Sequence, residues 1–235
     1  MKRKWIALIL ALAVMSGETV MASEALSGTA QQKRIVGAVE SWKPEKNTGS
    51  YTVTDLDGNG RLEIISSNYS EEDQSTVSHI WEVDEDGKLQ KVEMPWTEEE
   101  SQPDFITKST KVWYDSTEDV YYYLFTDQQK TEDGSEKEQK LAVSLKDGKL
   151  SSQLLAEKTV DGTDTESFSD ADGNEISSED YENAGEEKYG DFEEKTTKFK
   201  WISTREHAIG SDVPMEQLLE LVSEANAGFS ISDPE

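Results

Sequence analysis

The chain has 235 residues, 50 of them acidic against 23 basic, for a net charge of −27 with no cysteine. That balance repels nucleic acid and anionic lipid, and the missing cysteine excludes disulfides, a thiol nucleophile and a thioether lipid anchor. Six tryptophans, eight tyrosines and six phenylalanines are too many for a disordered acidic tail, and the length suits one folded domain.

Lys2, Arg3 and Lys4 precede an apolar run from Trp5 to Met15, and Val20-Met21-Ala22 follows. This is the three-part layout of a secretory signal, so residues 1–22 are expected to direct export and to be cleaved after Ala22. Ser16, Gly17 and Glu18 break the run well short of the roughly 20 apolar residues that span a bilayer. Cleavage removes three basic residues and Glu18, leaving 20 basic and 49 acidic side chains, a net charge of −29. The protein is therefore read as secreted, with no membrane contact after cleavage. A cysteine-free exported chain fits a bacterial source.

Residues 23–30 read as a flexible leader, and 31–235 as a single domain. From Gln31 to Trp42, Ile35, Val36, Val39 and Trp42 recur at helical spacing, and Lys43-Pro44 ends the helix. From Tyr51 the apolar period changes to two. Strands are expected at Tyr51–Thr54, Leu62–Ser67, Val77–Val83, Leu89–Met94, Lys111–Tyr114, Val120–Thr126, Lys140–Leu145 and Lys149–Ala156. Asp86-Gly87 and Asp147-Gly148 each separate two such runs, a strong hairpin signal, and Asp133-Gly134 falls in a longer polar loop.

Residues 157–195 are acidic and poor in aliphatics. Ser177 and Asp180 form a capping-box pattern ahead of Tyr181, Ala184, Tyr189 and Phe192, which predicts a helix weakened by Gly185 and Gly190; a disordered linker is the competing reading. Thr197, Phe199 and Trp201 alternate as one more strand. Asp212-Val213-Pro214 opens a last helix with Met215, Leu218, Leu219, Val222 and Ala225 on its apolar face, and Gly228 closes it. The expected fold is α+β: an antiparallel, meander-rich sheet or sandwich with an N-terminal helix and one or two C-terminal helices packed on it.

One segment carries chemistry. In Asp55-Leu-Asp57-Gly-Asn59-Gly60-Arg61-Leu62-Glu63, alternate positions supply the side-chain oxygens of Asp55, Asp57 and Asn59. Gly60 permits the sharp turn, the Arg61 carbonyl falls at the seventh position, and Glu63 at the ninth completes the set. Calcium takes six to eight such oxygens in a flexible shell, with water filling the remainder. An EF-hand would carry a bidentate Glu at the twelfth position, where Ser66 stands, and helices on both sides; these flanks read as strands. The plainer alternative is a Gly/Asn/Asp turn that binds nothing, but nine consecutive positions in this pattern favour the metal.

The stretch Val53–Ser66, VTDLDGNGRLEIIS, resembles the calcium loops of FG-GAP and VCBS repeats, which join strands within β-propeller blades. The resemblance implies calcium on Asp55, Asp57, Asn59, the Arg61 carbonyl and Glu63, where that family's final ligand is usually Asp. It covers this one loop and does not extend to a propeller. Together with the later DADGNEIS segment, the stretch also looks similar to secreted proteins of Gram-positive bacteria, a likeness that names no activity. Asp170, Asp172 and Asn174 begin like a second loop, but Glu175 replaces the turning Gly and Ser178 the final acid, so a plain turn is expected.

His79 and His207 are the only histidines, so a zinc site is not expected. No Gly-x-Ser-x-Gly, HExxH or phosphate-cradling glycine loop occurs. The sequence reads best as an exported, non-catalytic binding or interaction domain with a structural calcium loop and an extracellular protein or glycan as partner. Two alternatives stand beside it. One is a carbohydrate-binding module using Trp113, Tyr114 and Tyr121–Tyr123, whose rings are otherwise expected to pack under the helices. The other is a glycoside hydrolase acting through two carboxylates.

Overall fold

The computed structural model describes residues 26–44, 49–69, 75–96, 109–130 and 134–234. The expected signal peptide and the first residues of the leader lie outside them. The chain opens with helix α1 (Gly28–Gly37), capped by the Ser27 hydroxyl, which accepts from the Ala30 amide. It therefore starts inside the stretch expected as leader. The expected single helix breaks at Ala38, whose amide closes α1 on the Ile35 and Val36 carbonyls, and resumes as the short α2 (Val39–Trp42). The Trp42 indole N–H bridges the break by donating to the Ile35 carbonyl at 2.7 Å.

Five strands form a first sheet: β1 (Ser50–Thr54), β2 (Glu63–Tyr69), β3 (Ser75–Val83), β4 (Leu89–Lys91) and β11 (Ile202–Ser203), in the order β11-β1-β2-β3-β4. Seven form a second: β5 (Ser109–Asp115), β6 (Val120–Lys130), β7 (Glu136–Lys146), β8 (Lys149–Val160), β9 (Glu166–Asp170), β10 (Glu193–Lys198) and β12 (Ser230–Ser232), in the order β12-β10-β5-β6-β7-β8-β9. Neighbouring strands are antiparallel throughout. Helix α3 (Ser178–Tyr189) and helix α4 (Met215–Ala227) complete the fold.

Period-two alternation gives each strand two faces, and here both faces of both sheets are used. Tyr51, Val53, Ile64 and Val83 point from the first sheet into a core shared with Ile35, Val36, Val39 and Trp42 of the N-terminal helices and with Leu218, Leu221, Val222 and Ala225 of α4. Ile65 and Ile80 point the other way and meet Val112, Tyr123, Phe125, Leu141 and Val143 of the second sheet. On the far side Trp113, Ala142 and Leu155 pack against Tyr189 of α3. The result is four layers, helix–sheet–sheet–helix, which is the sandwich form of the expected α+β class.

Several details differ from the sequence reading. Residues 157–195 are ordered elements: the end of β8, then β9, α3 and the start of β10. Phe199 and Trp201 lie beyond β10, on the chain that crosses from one sheet to the other, and fill the inter-sheet core. In α4 the buried stripe uses Leu221, whereas Met215 in the first turn is 62% exposed. Strand β4 ends at Lys91, short of Met94. Asp147-Gly148 forms the two-residue hairpin the sequence predicts, with φ of 52° and 71° between the paired Lys146 and Lys149.

Candidate metal centre

The Asp55–Glu63 segment joins β1 to β2, with Thr54 paired to Glu63 across the hairpin and Glu63 paired in turn to Glu82 of β3. Leu56 and Leu62 anchor the loop at both ends: Leu56 enters the inter-sheet core and Leu62 the helix-facing core. Gly58 and Gly60 adopt φ of 69° and 80°, left-handed conformations that an L side chain rarely accepts. The loop is thus wound as tightly as its spacing requires.

Inside the turn the polar groups converge. Both Asp55 carboxylate oxygens accept from the Gly60 amide at 3.2 Å. Asp57 accepts from the Asn59 amide at 3.2 Å and from the Asn59 side-chain N–H at 2.7 Å. The Asn59 side-chain oxygen accepts from the Arg61 amide at 2.7 Å. Carboxylate oxygens of Asp55, Asp57 and Glu63 lie within 4.8 Å of one another, and these three are the acidic cluster with metal-binding geometry among the described residues. Two oxygens facing each other across a calcium ion, each at about 2.4 Å, span a similar distance.

Glu63 is the decisive member. It is fully buried, at 0% exposure. One oxygen is held by the Thr54 hydroxyl at 2.9 Å and by the Leu56 amide at 2.8 Å. The other oxygen has no hydrogen-bond partner. A buried charged group with an unsatisfied oxygen costs several kcal/mol unless a proton or a cation neutralises it. Burial, and then the charges of Asp57 and Asp55, push the Glu63 carboxyl well above its ordinary pKa. Burial, with the charges of Glu82 and Asp55, pushes Asp57 up to about 6. Asp55 is raised chiefly by burial. Three acids held together against their own repulsion are what a divalent cation relieves, and an all-oxygen donor set suits a hard cation over zinc.

The sequence singled out the loop and missed its supports. Glu82, 5% exposed, accepts from Arg61 Nε at 2.8 Å and from the Asn59 side chain at 3.0 Å. Gln31 of α1 donates to the Gly60 carbonyl and accepts from the Leu62 amide. The Tyr123 hydroxyl donates to the Leu56 carbonyl, and the Tyr121 ring lies against Gly58. Each breaks a pattern in the sequence: Gln31 stands one helical turn before Ile35, and Glu82 stands in phase with Ile80. A polar residue on an apolar face needs a partner, and in both cases the partner is this loop. Asp84, Glu85, Asp86 and Asp147 line an open depression beside Arg61 and Glu82, so the local field draws cations toward the loop.

The other candidates fall out separately. Asp170 accepts from the amides of Asp172 and Asn174 and from the Asn174 side chain in an exposed turn. Tyr122 stacks on Tyr189 and Phe192 at 4.7 and 5.9 Å, Tyr123 is buried between the sheets, and Trp113 is buried beneath α3. Tyr114 and Tyr121 stack on each other at 4.5 Å and, like Tyr122, are half-buried. His79 and His207 are half-buried, and neither joins a cluster of metal-binding geometry among the described residues. No described helix is long and apolar enough to cross a membrane. No known family's model matches the chain, and comparison with curated proteins and with solved structures brings out no match.

Proposed function

We propose that this protein is an exported, non-catalytic binding or interaction domain whose Asp55–Glu63 loop is ordered by calcium. The observation that carries the metal reading is Glu63: a fully buried carboxylate, one oxygen without a partner, held beside Asp55 and Asp57. Asp55, Asp57 and Glu63 supply carboxylates, and Asn59 and the Arg61 carbonyl complete the protein's share. Calcium is favoured over magnesium because it accepts the irregular shell a short loop offers, whereas magnesium demands a near-ideal octahedron. The metal is structural. It fixes a loop at the edge of a strongly acidic surface, and the partner is an extracellular protein or glycan that reads that surface. Export rests on the charged, apolar and small-residue pattern of residues 1–22.

The test is a thermal melt in EDTA and in calcium. With about 1 mM calcium and an affinity near 0.1 mM, binding stabilises by about 1.4 kcal/mol, which for a chain of this size raises the midpoint by about 3–6 °C. Asp57→Ala is expected to abolish the rise. An unchanged wild-type midpoint reduces the loop to a turn.

A further inference from the structure

We propose that Gln31 is a positioning residue of the metal loop, so that cation binding and docking of the N-terminal helix are one event. The inference rests on the calcium reading of that loop and adds to it a dependence on another layer of the fold.

Gln31 lies on the buried face of α1 and is 4% exposed. Both ends of its amide are engaged. The side-chain nitrogen donates to the Leu26 carbonyl at 3.0 Å and to the Gly60 carbonyl at 2.8 Å, and the side-chain oxygen accepts from the Leu62 amide at 2.7 Å. Two of these three bonds go to the peptide groups on either side of Arg61, the residue whose carbonyl is the seventh ligand position.

Peptide geometry carries this further. In a planar trans peptide the C=O and the N–H point in opposite directions. Gln31 draws the Gly60 carbonyl toward α1, so the Arg61 N–H points away from the helix, and it does reach the Asn59 side-chain oxygen at 2.7 Å. Gln31 likewise draws the Leu62 N–H toward α1, so the Arg61 carbonyl also points away from it. The Leu62 side chain packs in the helix-facing core, while Glu63 stands in phase with Ile65 on the face of β2 turned to the second sheet. The Arg61 carbonyl is thereby turned away from the helix and left unbound by Gln31. One glutamine from another layer sets two successive peptide planes of the loop and orients both the fifth and the seventh ligand positions.

Linkage runs both ways: if a docked α1 presents the ligands, bound calcium must stabilise the docked α1. Hydrogen exchange of the purified protein, with and without calcium, reads this directly. Calcium is expected to slow exchange in the loop and also in α1, and Asp57→Ala is expected to remove both effects. Calorimetric titration of Gln31→Met, which keeps the volume and loses the hydrogen bonds, is expected to show affinity about tenfold weaker, as for other groups that orient a ligand. In that variant calcium should protect the loop without the helix. Protection confined to the loop in the wild type, or wild-type affinity in Gln31→Met, overturns the proposal while leaving the metal site standing. A wild type that takes up no calcium removes the metal site itself and this proposal with it.

Discussion

Glu63 sits where neither charge state is comfortable without help. Its ionised form is desolvated and flanked by Asp55 and Asp57, and Tyr121, Tyr123, Glu82, Glu85 and Arg61 are further titratable groups around the loop. In the absence of a cation the folded protein therefore holds protons that the unfolded chain, with ordinary carboxylates near 4, has already released. The sign follows from linkage: stability from these raised groups is fully present below about pH 4 and is lost as pH climbs through the folded-state values, about 6 for Asp57 and higher than normal for Glu63 and Asp55. Glu63→Gln mimics the protonated acid. In EDTA at pH about 4.5, the variant is expected to melt within a few degrees of the wild type. It should gain on the wild type as pH rises to about 7, since only the wild type must then ionise a buried group. In calcium the order reverses, because the amide cannot supply the charge. A constant difference between the two melts across this range in EDTA would show that Glu63 does not change protonation on folding.

At the scale of elements, α3 shows how closely this sandwich is packed. Its N-terminus closes by a full capping box: the Ser177 hydroxyl accepts from the Asp180 amide at 3.1 Å, and the Asp180 carboxylate accepts from the Ser177 amide at 3.1 Å. Gly185 weakens helix propensity by roughly 1 kcal/mol against Ala, yet a Cβ there would stand 2.6 Å from the Trp113 ring. The glycine lets the helix lie directly on the indole. Gly185→Ala is therefore expected to destabilise by about 1–3 kcal/mol, against the gain an exposed helix would show, and Trp113→Phe should relieve part of that loss in the double variant. A stabilised single variant in urea unfolding would mean that α3 can lift from the sheet without cost. The same element shows what the sequence could and could not reveal. Ser177, Asp180, Tyr181 and Tyr189 announce the helix through local chemistry. Strand β9 has Phe168 as its only apolar side chain and exists because the edge of β8 is there to pair with. The candidate site divides in the same way. Asp55, Asp57, Asn59, Gly60 and Glu63 are legible because they are contiguous. Gln31, Glu82 and Tyr123 arrive from three other elements, and only folding brings them to the loop.

Across the described residues the acidic excess is met in part by ion pairs. Lys111 reaches Glu186 and Glu194, Lys137 reaches Glu157, Lys140 reaches Glu182, and Lys195 reaches Glu193 and Asp233, most of them at the surface. Exposed pairs of this kind contribute about 0–1 kcal/mol each, while a net charge of −27 repels itself over the entire surface. Repulsion should therefore dominate the response to salt. In EDTA, raising sodium chloride from about 10 mM to about 0.2 M, where the Debye length falls from about 30 Å to below 10 Å, is expected to raise the melting midpoint. A fall would mean that the ion pairs outweigh the field. The same experiment separates site binding from counterion condensation. Calcium held in a half-buried loop is screened far less than calcium gathered around surface carboxylates. Its stabilising increment should therefore persist at about 0.2 M salt in the wild type and be absent from Asp57→Ala. If the increment instead faded equally in both proteins, calcium would be acting as one more counterion. Persistence in the wild type alone places the effect in the loop, where helix α1 and both sheets meet beside the acidic depression of Asp84, Glu85, Asp86 and Asp147.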